Sequence, residues 1–465
     1  METPALILAG THSGVGKTTL TMGILQVLSR NMKVQSFKVG PDYIDPAFHS
    51  FITGRYCRNL DSWMLSEDTL RYLFLKNATG ADFSVVEGVM GLYDGKGAGG
   101  GQGSTAHLAR ILNLPVVLVV DGSGMAASAA ALVLGYQQYD PRILLKGVIF
   151  NNIKTEKHYR LLQEAVERDT GVKVLGYLPR EDFIQLPSRH LGLVPSSEIR
   201  GLRELLERLG DTLRRTVDLE ALTALAQDYT QGFNRPALIL PLPREEVNLA
   251  VARDSAFNFY YQDSLELLEY LGAQLIYYSP LEDSSLPASL DGMLLGGGFP
   301  EVFAPQLEAN RSLREELRSA VDEGIPVYGE CGGLMYLSQG ITDGEERLRH
   351  MVGAFQGRIR MADKLQRFGY VEVELQEDNI LGRKGSSYRA HEFHYSVLEE
   401  CAQNSYSLLV RKNGGREKPQ SWSCGITKGS LLASYPHLHF YSNPALADHF
   451  LEQCRRYKQR RRGKK

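Results

Sequence analysis

Residues 5–19 read Ala5-Leu6-Ile7-Leu8-Ala9-Gly10-Thr11-His12-Ser13-Gly14-Val15-Gly16-Lys17-Thr18-Thr19. An apolar run of strand length ends in a glycine-rich turn, and Leu20, Ile24, Val27 and Leu28 then recur at helical spacing. Strand, glycine loop and helix in that order make a cradle for phosphate. The backbone N–H groups around Gly14 and Gly16 would face an anion at the helix N-terminus. Lys17 would reach the β- and γ-phosphates, and the Thr18 hydroxyl would sit on Mg²⁺. Thr19 completes the Lys-Thr-Thr run.

Outward from this loop, the first 200 residues alternate short β-branched runs with longer helical patterns, which predicts a parallel α/β sheet. The expected strands are Ala5–Ala9, Val34–Lys38, Phe83–Glu87, Val116–Val120 and Gly147–Phe150. Each ends in a polar or glycine-rich turn, where doubly wound sheets place their ligands. A second α/β series starts near residue 247, with strands at Asn248–Ala252, Gln274–Tyr277, Met293–Leu295 and Pro326–Gly329. The fold class is therefore α/β, with two doubly wound parallel-sheet domains. The expected boundaries are 1–200 for the phosphate-binding domain, 201–246 for a helical connector, 247–450 for the second domain and 451–465 for a basic tail.

Two acidic segments follow expected strands in the first domain. Lys38-Val39-Gly40-Pro41-Asp42-Tyr43-Ile44-Asp45-Pro46 places two carboxylates three residues apart beside a lysine, and Glu87 closes a buried run before Asp94 in the next loop. A hard cation that bridges phosphates needs a hydroxyl and one or two carboxylates, so Asp45 and Glu87 are the expected partners of Thr18 around Mg²⁺. Asn151, after the strand Gly147–Phe150, could hydrogen-bond adenine.

In the second domain, Gly329-Glu330-Cys331-Gly332-Gly333 follows the apolar run Ile325–Tyr328. A cysteine on a strand-to-helix turn among glycines is a nucleophile elbow. Small neighbours admit a carbonyl to the sulfur, and the helix N-terminus stabilises thiolate and oxyanion. Oxyanion N–H groups are expected from Gly297 and Gly298 in the turn 296–298, and from Gly332. The thiol needs a base. His437 and His439 lie on one face if the segment 434–440 is extended, and His391 and His394 form a second pair, so spacing alone does not choose among them.

Bulk properties fit a globular protein: 43% hydrophobic, 23% charged, mean hydropathy −0.23 and a net charge of −2. That balance points to neither nucleic acid nor a membrane surface as partner. Five cysteines without paired spacing indicate neither a zinc site nor a disulfide framework. The run Ala5–Ala9 is too short for a signal peptide, and no apolar stretch approaches the roughly 20 residues that span a bilayer. A cytoplasmic protein is expected. The charge run Arg455 to Lys465 reads as a frayed, solvated end.

Taken in order, the segments 10–19, 38–46, 87–95, 296–301, 329–333 and 434–440 resemble the cobyrinate a,c-diamide synthase family over essentially the whole chain. The phosphate loop departs from the usual spacing, with Thr11 where a glycine is common, and in this it resembles dethiobiotin synthetase. The resemblance implies a P-loop NTPase-like domain of that type, followed by a class I glutamine amidotransferase domain. It implies that glutamine is hydrolysed through a thioester at Cys331, and that ATP phosphorylates a side-chain carboxylate of a corrin or related tetrapyrrole. Ammonia would then displace phosphate to give the amide, at the a and c acetates. The resemblance maps the base onto His437 and leaves no acid at the usual position two residues later, where His439 stands. Asp42 and Asp94 become candidates for positioning the carboxylate or the ammonia. Hydrogenobyrinate and nickel sirohydrochlorin are alternative substrates, and a ParA/MinD-like nucleotide switch with a degenerate second domain is the competing reading from another class.

Overall fold

The computed structural model describes residues 3–97, 101–180, 188–189, 192–193, 201–226, 236, 238–342, 346–399, 401, 406–412 and 419–463. The chain divides into two compact units, Met1–Leu238 and Ile239–Lys465.

The first unit is built on a seven-stranded, all-parallel sheet. Its strands are β1 (Ala5–Gly10), β2 (Val34–Val39), β3 (Arg58–Leu60), β4 (Phe83–Glu87), β5 (Val116–Asp121), β6 (Leu145–Ile153) and β7 (Lys173–Pro179), in the order β3-β2-β4-β1-β5-β6-β7. Strands covered on both faces lose the in–out alternation and become continuous apolar runs. Every residue of β1 is buried, as are the first five of β5. The sheet grows one way from β1 through β4 and the other way through β5. The strand order thus reverses beside β1, and the crevice beyond the strand ends opens there.

The phosphate loop leaves β1 at this point and enters helix α1 (Lys17–Leu28), whose N-cap Gly16 holds a left-handed φ of 96°. Helix α2 (Ile44–Thr53) follows β2. The segment expected as a connector contains helix α3 (Leu202–Thr216), which packs on α1 inside the first unit. Approach is so close that a Cβ on Gly23 would stand 2.9 Å from Leu209 Cγ. An amphipathic stripe reads the same whether a helix links domains or lies on one, so sequence pattern could not place it. Residues 227–235 and 237 of that segment lie outside the described residues.

In the second unit β8 (Val247–Ala252), β9 (Ala273–Tyr278), β10 (Gly292–Leu295), β11 (Val327–Glu330), β13 (Ile426–Lys428) and β14 (Leu431–Ser434) form a sheet in the order β9-β8-β10-β11-β14-β13. All pairs are parallel except β13 with β14. A separate antiparallel sheet pairs β12 (Ser387–His394) with β15 (His437–Leu438). The expected frayed tail belongs instead to helix α5 (Pro444–Gly463). Arg455 is buried and donates to the carbonyls of Glu245 and Leu271, while Arg461 donates to Leu290 O and to Asp291. Long aliphatic stems let arginines pack while their heads reach acceptors, a possibility that charge density along a sequence does not reveal. No described helix is long and apolar enough to cross a membrane.

Candidate active sites

At the strand ends of the first unit, the side chains of α1, β2, α2 and β4 converge. Thr18 Oγ1 lies 2.6 Å from Glu87 Oε1 and 3.0 Å from Asp45 Oδ2. Lys38 donates to the same two oxygens, at 2.7 Å and 2.5 Å, with Asp42 Oδ2 3.8 Å away. Behind them His49 Nε2 is 2.8 Å from Glu87 Oε2. Burial works against ionising Glu87, but Lys38 and His49 outweigh it and hold its pKa well below the carboxylate range. Burial and the neighbouring Asp42 push Asp45 the other way, up to about 7. Glu87 is thus the anchored anion and Asp45 the adjustable one.

A hydroxyl and two carboxylate oxygens are the hard donors that suit Mg²⁺. Among the described residues no group of three or more His, Cys, Asp or Glu could cage a metal alone. Mg²⁺ characteristically completes its shell with phosphate and water, so two carboxylates and a threonine fit.

Lys17 Nζ donates to the carbonyls of Met90 at 2.5 Å and His12 at 3.3 Å. Burial and repulsion from Lys38 lower its pKa to about 8. Asn151, expected at adenine, braces the phosphate loop: its amide donates to Val15 O at 2.8 Å, and its oxygen accepts from the Asn152 N–H. Asp42 Oδ1 accepts the N–H groups of Ile44 and Asp45 at the start of α2, and Asp94 Oδ2 accepts that of Gly91. Both acids hold their own loops, with Asp42 also within reach of Lys38.

In the second unit β11 ends at Glu330, and Cys331 takes φ 46° and ψ −98° before helix α4 (Gly332–Leu337). A positive φ at a non-glycine residue is the strained geometry of an elbow that presents its side chain. Its N–H is held by Ser434 O at 2.8 Å. The glycines are required by space. A Cβ on Gly297 would lie 2.6 Å from His437 Cε1, and one on Gly332 would lie 3.0 Å from Gly298 N. Elbow, glycine turn and His437 are therefore brought together.

His437 lies against the Cys331 sulfur, whose charge acts on it, and its Nδ1 stands 3.8 Å from Glu330 Oε2. Burial opposes a charged imidazole, but the Cys331 sulfur and Glu330 outweigh it and raise the His437 pKa to about 10. Glu330 is fixed in turn by donors from Tyr328 Oη and the Leu438 N–H, both to Oε1. The other histidines do different work. His439 stacks on Tyr261, accepts the Tyr441 N–H, and is driven by burial to a pKa of about 3. His394 stacks on Tyr435, while His391 faces His437 across the β12–β15 ladder; burial lowers the pKa of both.

Residues 6–194 match the CobQ/CobB/MinD/ParA nucleotide binding domain, and residues 248–445 match the CobB/CobQ-like glutamine amidotransferase domain. The cobyrinate a,c-diamide synthase of Caldanaerobacter subterraneus subsp. tengcongensis is 48% identical over 451 residues, covering 96% of this chain and 98% of that protein. The chain belongs to the cobyrinate a,c-diamide synthase family. Family members so named from Listeria innocua (44% identical, 95% of this chain and 97% of theirs) and Priestia megaterium (41%, 99% of each) are similar along their full lengths. Like them it is a ligase of the glutamine amidotransferase type, with a nucleotide-binding domain ahead of the amidotransferase domain.

Three residues of this family member escaped sequence reasoning. Lys38 was visible only as a neighbour of Asp42, His49 has no local motif, and Glu330 sits beside the nucleophile itself. The one available signal was parity: in an extended strand Tyr328 and Glu330 share a face, which hints that the acid is tied inward.

Proposed function

We propose that the chain amidates side-chain carboxylates of a tetrapyrrole, with ammonia released from glutamine at Cys331. The sulfur attacks the glutamine amide carbon while N–H groups of Gly297, Gly298 and Gly332 receive the developing oxyanion. His437 takes the thiol proton and returns it to the departing ammonia, and Glu330 keeps the imidazolium oriented and charged. Water then cleaves the thioester to give glutamate.

In the first unit Gly14, Gly16 and Lys17 hold the ATP phosphates. Thr18, Asp45 and Glu87 would hold Mg²⁺, whose charge would offset that of the transferring phosphoryl group. A carboxylate is a poor electrophile, and transfer of the γ-phosphoryl group makes one of its oxygens a leaving group. Ammonia displaces phosphate from this acyl phosphate. Lys38, lodged between Asp45 and Glu87, keeps two acids close together beside incoming negative charge. Asp42 and Asp94 border this site and are assigned to positioning the carboxylate or the ammonia.

The observation that carries the reading is full-length similarity to proteins named cobyrinate a,c-diamide synthase in a chain whose elbow cysteine and glycine turn are brought together with a buried histidine. Cobyrinate is accordingly the proposed substrate, at its a and c acetates. The test offers cobyrinate, hydrogenobyrinate and nickel sirohydrochlorin in parallel and reads products by mass. Two ATP-dependent conversions of carboxylate to amide on cobyrinate are expected; preference for either other ring would replace the substrate. A nucleotide switch would show no glutamine-dependent product at all.

A further inference from the structure

In the first unit the loop after β4 is tied to the phosphate loop where it begins. The Leu92 N–H donates to Gly10 O at 2.7 Å, and a Cβ on Gly91 would stand 2.7 Å from Thr11 O. Asp94 follows, and its charge acts on Lys17. Two residues on, Lys96 sets its Nζ 4.2 Å from the centroid of the Trp63 ring. Two peptide steps span at most about 7 Å, so the Lys96 backbone stays close to Asp94.

Trp63 is a fixed support. It lies just beyond the end of β3, is buried, and its N–H and that of Met64 both donate to Asp61 Oδ1. Beside it Ser62 Oγ accepts the Gly103 N–H, and the Asn59 amide donates to the carbonyls of Gly40 and Asp42. The turns after β2, β3 and β4 are thereby joined into one wall that carries Asp42, Asp94 and Lys96. A half-buried lysine ordinarily packs its stem and solvates its head. Here the head is seated on an indole face, which holds an ammonium in place without neutralising it. An ammonium has three N–H donors to offer a carboxylate.

We propose that Lys96, seated on Trp63, binds a carboxylate of the tetrapyrrole other than the one being amidated, and so holds the ring while another acid meets the γ-phosphoryl group. The assignment rests on amidation of a ring that carries several carboxylates, and it adds a cation that recognises such a ring. Lys17 and Lys38 are committed to phosphate and to the acids around Thr18, so a second substrate anion needs a positive partner further out. Lys96 stands there, on the loop that Asp94 shares, and its charge-assisted hydrogen bond to a carboxylate would be of the strong kind.

The test is equilibrium dialysis of the full chain against cobyrinate without ATP, with Kd read from the corrin absorbance. Lys96→Met keeps the stem's packing on Trp63 and removes the charge. It should raise the cobyrinate Kd on the order of tenfold and leave the Kd for ATP as in the wild type. Lys96→Arg keeps both charge and cation–π seat and should recover most of the affinity. With one ion pair fewer, added salt should weaken cobyrinate binding less in Lys96→Met than in the wild type. An unchanged cobyrinate Kd overturns the proposal. So does a loss that Lys96→Arg shares with an unaltered salt dependence, or a parallel loss of ATP affinity, since either would make Lys96 a mere support of its loop. A wild type that ignores cobyrinate and binds hydrogenobyrinate or nickel sirohydrochlorin would instead correct the substrate. That failure is distinct from that of Lys96, and the same comparison is then read with the ring that binds.

Discussion

The two sites solve opposite electrostatic problems. In the first unit Lys17 and Lys38 stand with Asp45 and Glu87 beyond the ends of a parallel sheet, and the acids outnumber neither the cations nor their needs. Charge is balanced in advance, so a polyanionic nucleotide can enter beside carboxylates. In the second unit a sulfur and a carboxylate together hold a proton on the one buried imidazole of His437, against the opposing effect of burial. The first site tunes several charges against one another, whereas the second concentrates one. Redundancy should make the first site degrade in steps and the second fail at once.

That contrast can be broken by substitution. Cys331→Ser should reduce glutamine-dependent amidation by roughly 10⁴-fold or more, since nucleophile loss removes the whole pathway, while ammonia-dependent amidation persists. Loss of both in a folded variant would show that the sites are not separable. Lys17→Ala should lower ATP turnover by about 10²–10³-fold, the scale of removing one transition-state donor, and leave basal glutaminase in place; coupled loss of glutaminase would contradict the separation. Glu330→Gln removes a carboxylate near 4 Å from the imidazole, an interaction worth about 1–4 kcal/mol. It should cut glutaminase kcat on the order of tenfold without affecting the ammonia reaction.

The same variant sharpens the comparison through pH. The His437 pKa is raised in the folded chain to about 10, from about 6.5 when exposed. Its contribution to stability is therefore complete below about pH 6.5 and is lost as pH rises through about 10. Glu330→Gln lowers the folded value, so the fall in Tm above about pH 6.5 should end at a lower pH and be smaller; superimposable Tm profiles would remove Glu330 from the site. The smallest effect is expected from Asn151→Ala, which deletes a hydrogen bond worth about 1 kcal/mol to the Val15 carbonyl. ATP KM should rise a few-fold with glutaminase unchanged. A larger loss, with adenine-specific discrimination abolished, would return Asn151 to the base-binding role first expected of it.

Legibility followed locality. The phosphate loop and the cysteine elbow were readable because each is a continuous segment whose residue types are dictated by its own backbone: glycines where φ is positive or space is absent, then a helix-forming run. Strands β1, β2, β4, β5 and β6 of the first sheet and β8 to β11 of the second were readable for the same reason, as short local runs, whereas β3, β7, β13 and β14 were not expected. By contrast α3 looked like a linker and the basic end of α5 looked solvated. Leu209 and Leu213 find their partner at Gly23, and Arg455 finds its acceptors at Glu245 and Leu271, all far away in sequence.

The sequence by itself determined two parallel α/β units, a phosphate cradle at residues 10–19, a thiol at 331 and a choice among four histidines. Tertiary structure alone decided that His437 meets Cys331, that Glu330 stands behind it, and that His439 packs inward. It also decided that Lys38 sits between Asp45 and Glu87 with His49 at their back, and that Asn151 braces the loop. The physical reason is that a side chain's pKa and hydrogen-bond partners depend on what other strands place within a few ångströms. Strand order and register set those neighbours, and neither is written in the spacing of any one segment.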